Sequence, residues 1–413
     1  MSHEAVAIDI DTPTQDRPRV RFMPLGSLQL AGSLLFAVAI ALFLLLHTAS
    51  NYQERYDVLQ ARQTFNSIYK YGSPDNPMPL YYMLIHALYT WLGAINLIIL
   101  RILSLGFYGL VVVVTYLAAK LATGNREAAY FGAALVSLSP FLVWYAGRGT
   151  EYSLLALIVL INQVFFVAAF QRKWWAYAGY LVSGALGLGV HYFFAVVILT
   201  QLAFLIVKRR DFGRRGFILI GVSALVLLAA FGAWIGISAR HNDFWNSLPY
   251  TSRPSATNTF IIFVQYLFGF QSVVVTTLII AFWPLLVMFA LLAIQKYIRP
   301  PVGIQYFFIS AVLPVIAIFA LSWAWKPLFL SSYLIIGLPA FIICTAWYLT
   351  AYKLRSLAIG RAVLVGVMAI MLLTEAGNWH IAWREDYLGV LQRAVTGPTG
   401  SIQTLPTGVL RQH

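Results

Sequence analysis

The sequence contains little charge and a single cysteine. Only 10% of its 413 residues are Asp, Glu, Lys or Arg, whereas a soluble domain usually carries about 25%. Cys344 lies within an apolar run, which excludes an intramolecular disulfide and predicts a buried small side chain. The chain also has no zinc-type Cys/His cluster, phosphate-binding glycine loop or Gly-x-Ser-x-Gly elbow. A soluble enzyme built on one of these common motifs is therefore not expected.

Long apolar runs make up most of the chain, with 60% hydrophobic residues and a mean hydropathy of +0.77. Runs of about 18 or more apolar residues predict membrane-spanning helices, so the expected fold is an all-α polytopic membrane protein. A β-barrel would instead show short segments of alternating polarity. The sequence predicts eleven spans, at about 28–47, 99–119, 128–145, 152–170, 175–190, 192–207, 216–237, 273–294, 304–322, 333–350 and 362–375.

The net charge of +14 comes from basic residues scattered over many short loops, which indicates membrane topology rather than a nucleic-acid face. Arg17, Arg19 and Arg21 precede the first apolar run, which predicts an uncleaved signal anchor after a cytoplasmic tail, 1–27. The transmembrane domain is then 28–375. Its large outer loops are 48–98 and 238–272, and the C-terminal tail, 376–413, is also extracytoplasmic. We expect an integral protein of the bacterial inner (plasma) membrane.

One segment, Pro79–Leu92, allows two interpretations. Counted as a span, it would invert all later loops and place "KRRDFGRRGF" outside, against the positive-inside bias. We therefore predict an amphipathic helix lying at the outer membrane interface.

Most polar residues near the membrane fall on the predicted outer side, where carboxylates stand beside cations. A carboxylate can act as general base on an acceptor hydroxyl, and Arg or Lys can hold a phosphate. Glu54 and Asp57 are the predicted catalytic residues, Glu54 first. The predicted substrate-binding residues are Asp75, Tyr81, His86, Arg148, His191, Arg253 and Lys326.

Each of these residues also has a simpler interpretation. Glu54 and Asp57 are one helical turn apart and could form a solvated charged face. Asp75 in "SPDNP" is typical of a turn, and His191 at a span boundary is typical of a satisfied interface residue. The sequence predicts no cofactor and no essential metal, and leaves a divalent metal open.

Several segments in order resemble the family-39-like polytopic glycosyltransferases, the group that contains the protein O-mannosyltransferases. "ERYDVLQAR" resembles the acidic motif of the first outer loop, and "NPMPLYYMLIHALYTWLG" resembles the interface helix, with Arg101 following. "LVSLSPFLVWYAGRGTEYSLLAL", "LGLGVHYFFAVVIL", "FWNSLPYTSRPS" and "KPLFLSSYLIIGLPAF" resemble later segments, so the resemblance covers about residues 28 to 390. It implies the GT-C membrane fold and the use of polyprenyl-phosphate sugars.

Three polar positions of that family differ in this chain. Glu54 falls on the family's Glu, but the Asp before it becomes Gln53. The Arg of the Gln-Glu-Ala-Arg turn becomes Thr150, with Arg148 close by, and the Arg before the late Tyr-Leu becomes Ser332.

The function implied is transfer of a sugar from a polyprenyl-phosphate donor to an extracytoplasmic lipid, glycan or protein acceptor, among membrane lipids and without nucleic acid. The changed positions motivate an alternative, a catalytically inactive relative that binds polyprenyl lipid or assists another envelope enzyme. A transporter is the third hypothesis, although it would usually place charges mid-span.

Overall fold

The computed structural model describes residues 25–47, 52–71, 78–241, 253–270, 300–351 and 355–396. Every regular element in these ranges is helical. The α-helices are α1 (Leu25–His47), α2 (Tyr52–Ala61), α3 (Phe65–Tyr71), α4 (Leu80–Leu92), α5 (Leu97–Thr123), α6 (Arg126–Leu138), α7 (Pro140–Ala146), α8 (Tyr152–Phe170), α9 (Trp175–Val190), α10 (Phe194–Val207), α11 (Arg209–His241), α12 (Ala256–Phe268), α13 (Val302–Ala324), α14 (Leu338–Thr350) and α15 (Arg355–Thr396), with a 3₁₀ helix at Tyr333–Gly337.

The prediction of an all-α polytopic membrane protein is confirmed. Within the described ranges, seven helices are long and apolar enough to cross a membrane, and a bent pair can supply an eighth. The seven are Ser27–His47, Leu97–Thr123, Tyr152–Phe170, Arg209–Ile237, Val302–Ala324, Tyr333–Thr350 and Leu357–Trp379. The predicted spans 175–190 and 192–207 form shorter apolar helices, α9 and α10, of 16 and 14 residues. The predicted span 273–294 lies outside the described residues.

The predicted span 128–145 is not one straight helix. It is the pair α6 and α7, bent by 59°, because Pro140 disfavours helical backbone at the residue before it. Ser139 accordingly adopts an extended conformation, with φ −62° and ψ 110°. Its hydroxyl caps α7 at the Leu142 amide and also donates to the Tyr266 carbonyl at 2.7 Å. The bend is therefore fixed by a cap and by a contact with α12.

Helix α8 lies at the centre of the bundle and is buried on nearly every side, as expected for a helix that is apolar all round. It packs against α5 and α9, while α6 packs against α1 and α14. Asn162 in α8 donates to the Ser183 hydroxyl at 2.9 Å and accepts from the Gln201 amide at 2.7 Å. The same Gln201 nitrogen is 2.9 Å from the Tyr306 hydroxyl, so polar contacts join α8, α9, α10 and α13 inside the apolar core.

The helix predicted over Pro79–Leu92 is present as α4. Its 13 residues give a length of about 20 Å, shorter than the roughly 30 Å hydrocarbon core. One face buries Tyr81, Tyr82 and Ile85, while Trp91 on another face is exposed. The helix ends at Gly93 with φ +71°, the left-handed conformation typical of a helix C-terminus. Its position at the membrane interface stays a prediction.

Candidate functional site

Glu54 is held in a bidentate ion pair. The Nε of Arg101 lies 2.7 Å from Oε1 of Glu54, and Nη2 lies 2.9 Å from Oε2. The third guanidinium nitrogen donates to the Leu45 carbonyl at 3.0 Å, at the end of α1. Glu54 is 0% exposed and Arg101 is 5% exposed. The pair therefore ties α2 to α5 and α1 in an environment where unpaired charge would be costly.

The turn between α7 and α8 closes over this pair at Gly149. The Gly149 amide donates to Oε1 of Glu54 at 3.2 Å, and its carbonyl accepts from the Tyr81 hydroxyl at 2.7 Å. A Cβ at this position would lie 2.4 Å from the Cβ of Leu100, far inside contact distance. Only glycine lets the turn approach α5 this closely, so the turn is locked between α2, α4 and α5.

Two further carboxylates, Asp57 and Glu151, are buried beside the Glu54 pair. Asp57 is 0% exposed and Glu151 is 1% exposed. Both act on the same phenol: burial raises the pKa of Tyr81 well above its usual value, and the negative charges of Asp57, Glu151 and Glu54 raise it further. All three carboxylates therefore lie near enough to Tyr81 for their charges to act on its hydroxyl. The interpretation of Glu54 and Asp57 as a solvated charged face does not hold, because both side chains are buried.

Arg148 supplies a second cation next to the carboxylates. Its guanidinium lies 3.5 Å from the ring centroid of Trp144, close enough for a cation–π interaction. Burial lowers the pKa of Arg148 to about 10, partly offset by the negative charge of Glu54. Arg148 is still cationic at neutral pH and lies at the same turn as Glu151.

A group of tyrosines continues from the carboxylates to His191. Tyr152 directly follows Glu151, and its ring centroid lies 6.0 Å from that of His191. The imidazole also packs against Tyr192 at 4.6 Å and Tyr333 at 5.3 Å. His191, between α9 and α10, therefore lies near the end of α8 that Glu151 precedes.

His191 is fully buried, and the burial lowers its pKa to about 3, so the ring is neutral at physiological pH. Its Nδ1 accepts from the Phe193 amide at 3.2 Å, which assigns the proton to Nε2. Within the part of the chain that the structure describes, Nε2 has no hydrogen-bond partner. The ring can therefore donate a hydrogen bond to a ligand, but it is a poor base.

The remaining predicted residues lie in other places. His86 is 3.0 Å from the Ala61 carbonyl through Nδ1, so it holds the end of α2. Arg253 is exposed and lies 5.3 Å from the ring centroid of Trp323, and Lys326 follows three residues later. Asp75 lies outside the described residues. The structure thus brings together Glu54, Asp57, Tyr81 and Arg148, with His191 beyond Tyr152, and it does not place His86 or Arg253 in that cluster.

Glu151 and Arg101 are not among the site residues predicted from the sequence. The signal for Arg101 was its place after the interface helix, because a lone Arg among apolar residues needs a buried acid. Glu151 gave a weaker signal, a carboxylate at the start of an apolar helix. Ser332, where the resembled family has Arg, lies near the Tyr145 and Tyr152 hydroxyls. Across the described residues, no three His, Cys, Asp or Glu side chains are grouped as metal ligands.

Comparison with known proteins supports the resemblance. The family model of dolichyl-phosphate-mannose-protein mannosyltransferase matches residues 75–234, which include α4, the turn at Gly149 and His191. A sequence search of curated proteins finds no match.

Solved structures match over most of the chain at low sequence identity. The apo crystal structure of ArnT from Cupriavidus metallidurans matches with a TM-score of 0.57 and 14% identity, covering 86% of this chain and 76% of that one. The same protein bound to undecaprenyl phosphate matches with a TM-score of 0.53 and 15% identity, covering 86% and 77%. The apo oligosaccharyltransferase of Archaeoglobus fulgidus matches with a TM-score of 0.50 and 13% identity, covering 87% of this chain and 56% of that one.

The seven apolar helices of the described ranges and these neighbours together confirm the fold predicted from the sequence. The chain is a membrane protein with the GT-C fold of ArnT and the oligosaccharyltransferase, and over residues 75–234 it resembles the dolichyl-phosphate-mannose-protein mannosyltransferases.

Proposed function

We propose that the protein is a membrane glycosyltransferase that moves a sugar from a polyprenyl-phosphate donor to a lipid, glycan or protein acceptor. The observation that carries the proposal is the buried cluster near the N-terminus of α8, where Glu54, Asp57 and Glu151 lie near Tyr81 and Arg148. Burying three carboxylates is costly without a function that uses them. A neighbour of the same fold is bound to undecaprenyl phosphate, which supports a donor of that lipid class.

Asp57 is the better candidate for the base, and Glu54 for a positioning residue. Both oxygens of Glu54 accept from Arg101, and one also accepts from Gly149, so a proton from an acceptor would compete with these donors. Gln53 stands where the resembled family has its Asp. Asp57 lies four residues later on α2, on the same helix face, and can present a carboxylate from the next turn.

The proposed step breaks the bond between the sugar C1 and the donor phosphate oxygen and forms a bond between C1 and the acceptor oxygen. The acceptor hydroxyl proton passes to the Asp57 carboxylate. The bond electrons leave with polyprenyl phosphate, whose growing negative charge Arg148 would stabilise.

The other groups have supporting roles. Tyr81 is fixed by Gly149 and holds α4 against the carboxylates, while the neutral Nε2–H of His191 would donate to a phosphate or sugar oxygen. Glu151 would bind sugar or acceptor hydroxyls. Asp75, His86, Arg253 and Lys326 stay predicted substrate-binding residues.

A second candidate function is a non-catalytic relative that binds polyprenyl lipid or assists another enzyme. The engagement of Glu54 by Arg101 favours it, together with the three changed positions Gln53, Thr150 and Ser332. The two functions differ in turnover, not in donor binding. In either case we propose that the site faces away from the cytoplasm, in the bacterial inner membrane, with the N-terminus inside.

The test uses the purified full chain in lipid, a panel of radiolabelled polyprenyl-phosphate sugars and a crude membrane fraction as acceptor. Asp57→Asn and Glu54→Gln are compared with the wild type, and Asp211→Asn removes an exposed carboxylate as the matched control. We expect Asp57→Asn to lower transfer by a factor of at least about 100 while donor binding persists. Glu54→Gln should lower stability as well as transfer, and Asp211→Asn should change neither.

Consumption of a donor by the wild type, lost in Asp57→Asn, supports the enzyme and this base. Binding of donors without consumption of any would instead support the non-catalytic relative. Full activity in Asp57→Asn would show that Asp57 is not the base.

A further inference from the structure

A concentrated basic surface lies at the other end of the bundle from the candidate site. It is formed by Arg172, Lys173, Lys208, Arg209, Arg210, Arg214 and Arg215. Helix α8 connects the two ends: Glu151 precedes it, and Arg172 follows it. Its 19 residues span about 28 Å, nearly the thickness of the hydrocarbon core. The basic surface therefore lies at the membrane face opposite the carboxylates.

Two separate loops converge to form this surface. Gly213 interrupts α11 with φ +69° and ψ 162°, which separates Arg209 and Arg210 from Arg214 and Arg215. A Cβ built on Gly213 would lie 3.5 Å from a guanidinium nitrogen of Arg172. The loop after α8 and the start of α11 thus share one patch. This convergence is not visible in the sequence, where the two loops are about 35 residues apart.

The basic side chains are available to a ligand. Six of the seven are exposed, and Lys208 is half-buried. In the described ranges the ion pairs are those of Arg101 with Glu54 and Arg361 with Glu127, so none involves this surface. Asp211 is the one acid on the same stretch. Within the described residues, this surface therefore carries a large excess of positive over negative charge.

A shallow cavity with an almost wholly apolar lining lies within this basic surface. It has a volume of about 380 Å³ and is lined by Arg214, Arg215, Ile218 and Leu219. Ile218 is 47% exposed and Leu219 is 37% exposed, and both lie one turn further along α11, toward the hydrocarbon. A positive-inside signal requires cations in a loop, but it does not require an apolar cavity between the side chains of two such cations.

We propose that this cavity binds an anionic phospholipid, with its phosphate on Arg214 and Arg215 and the start of an acyl chain against Ile218 and Leu219. Clustered Lys and Arg at the end of a membrane helix attract anionic headgroups, and guanidinium forks match phosphate oxygens. Nucleic acid does not fit, because the apolar lining of the cavity continues into the membrane-facing surface of α11. Free phosphate would leave that apolar lining without a contact.

The test measures lipid binding by native mass spectrometry of the full chain in detergent, titrated with phosphatidylglycerol or with phosphatidylcholine. Arg214→Gln/Arg215→Gln is the test variant. Lys120→Gln/Arg126→Gln removes two exposed cations on the same predicted side as the matched control, and Arg214→Lys/Arg215→Lys restores the charge. Arg172→Gln/Lys173→Gln, the second-loop variant, removes the two cations that follow α8. It provides an independent test if Arg214→Gln/Arg215→Gln does not fold.

We expect phosphatidylglycerol to bind at least about tenfold more tightly than phosphatidylcholine. The affinity for phosphatidylglycerol should fall by about tenfold to thirtyfold in the test variant, by less in the second-loop variant, and by less than about twofold in the control. The Lys variant should recover most of the affinity.

Equal losses of phosphatidylglycerol affinity in the test and control variants would overturn the proposal, because binding would then depend only on the total charge of the protein. Displacement of phosphatidylglycerol by millimolar inorganic phosphate would overturn it too, since the acyl-chain contact would contribute nothing. Because binding is measured without a sugar donor, failure here is independent of the proposed glycosyltransferase activity.

Discussion

The ion pair between Arg101 and Glu54 gives the sharpest stability prediction. Arg101→Met keeps most of the apolar stem but removes the guanidinium that donates to both oxygens of Glu54 and to Leu45. Glu54 would then be a buried carboxylate with its ion-pair partner removed. Breaking a buried pair by removing one partner typically costs about 3–5 kcal/mol.

At neutral pH, the part of this loss of stability that comes from burying an unpaired charge has an upper limit. Protonating a Glu carboxyl of ordinary pKa, about 4.3, costs about 3.7 kcal/mol at pH 7. If burying the unpaired charge costs more than this, the folded variant holds Glu54 in its protonated, neutral form instead. Because the folded variant then holds a proton that the unfolded chain releases, its stability should rise as the pH falls from 7 to 5. The gain should be about 1.4 kcal/mol per pH unit. The lost hydrogen bond at Leu45 adds about 1 kcal/mol.

The assay is equilibrium unfolding in mixed micelles with increasing SDS, followed by tryptophan fluorescence. Arg126→Met, an exposed Arg at the start of α6, is the matched control and should change stability by less than about 0.5 kcal/mol. Adding Glu54→Gln to Arg101→Met should recover at least half of the loss, because the amide still accepts from Gly149. A loss under about 1 kcal/mol, or one that does not shrink at pH 5, would refute the assignment of a buried charged pair.

Two further changes test the turn at Gly149 and the state of His191. Gly149→Ala should destabilise the fold by about 1–3 kcal/mol, since its Cβ would lie 2.4 Å from the Cβ of Leu100. Gly147→Ala is the matched control, with its nearest neighbour at 3.5 Å, and equal unfolding midpoints for the two would contradict the packing argument. His191 has its pKa lowered by burial to about 3, below the unfolded value of about 6.5, so its contribution to stability is lost as the pH falls below 6.5. The wild type should lose about 2 kcal/mol more than His191→Gln between pH 7 and pH 5, measured by the same SDS unfolding; equal losses would mean that the ring is charged or solvated.

The fold class was predictable because long apolar runs leave few alternatives. Hydropathy located the spans at α1, α5 and α8 to within a few residues, and the helix predicted over Pro79–Leu92 is present as α4. The bend at Ser139 was missed, because an apolar run of suitable length conceals a break that depends on Pro140 and on a contact from Tyr266.

The candidate site was predictable only in part. Glu54 and Asp57 were selected as carboxylates beside cations on the predicted outer side, in a segment that resembles the acidic motif of the family. Neither observation gives burial, so a solvated charged face remained the alternative interpretation. The pairing of Glu54 with Arg101 and the approach of Glu151 to Tyr81 depend on how α2, α4, α5 and α8 pack. These two pairs of residues are 47 and 70 positions apart in sequence, so a local sequence pattern cannot predict them.

The central claim, that this cluster catalyses sugar transfer, is tested most directly by the release of free polyprenyl phosphate in proteoliposomes. Wild-type protein, a labelled polyprenyl-phosphate sugar and the acceptor fraction are incubated together, and both products are quantified. We expect one polyprenyl phosphate to be released per sugar transferred, at a rate that falls at least about 100-fold in Asp57→Asn with donor binding intact. If donors across the whole panel bind the wild type and none is consumed, the claim is contradicted and the protein is a lipid-binding protein of the same fold.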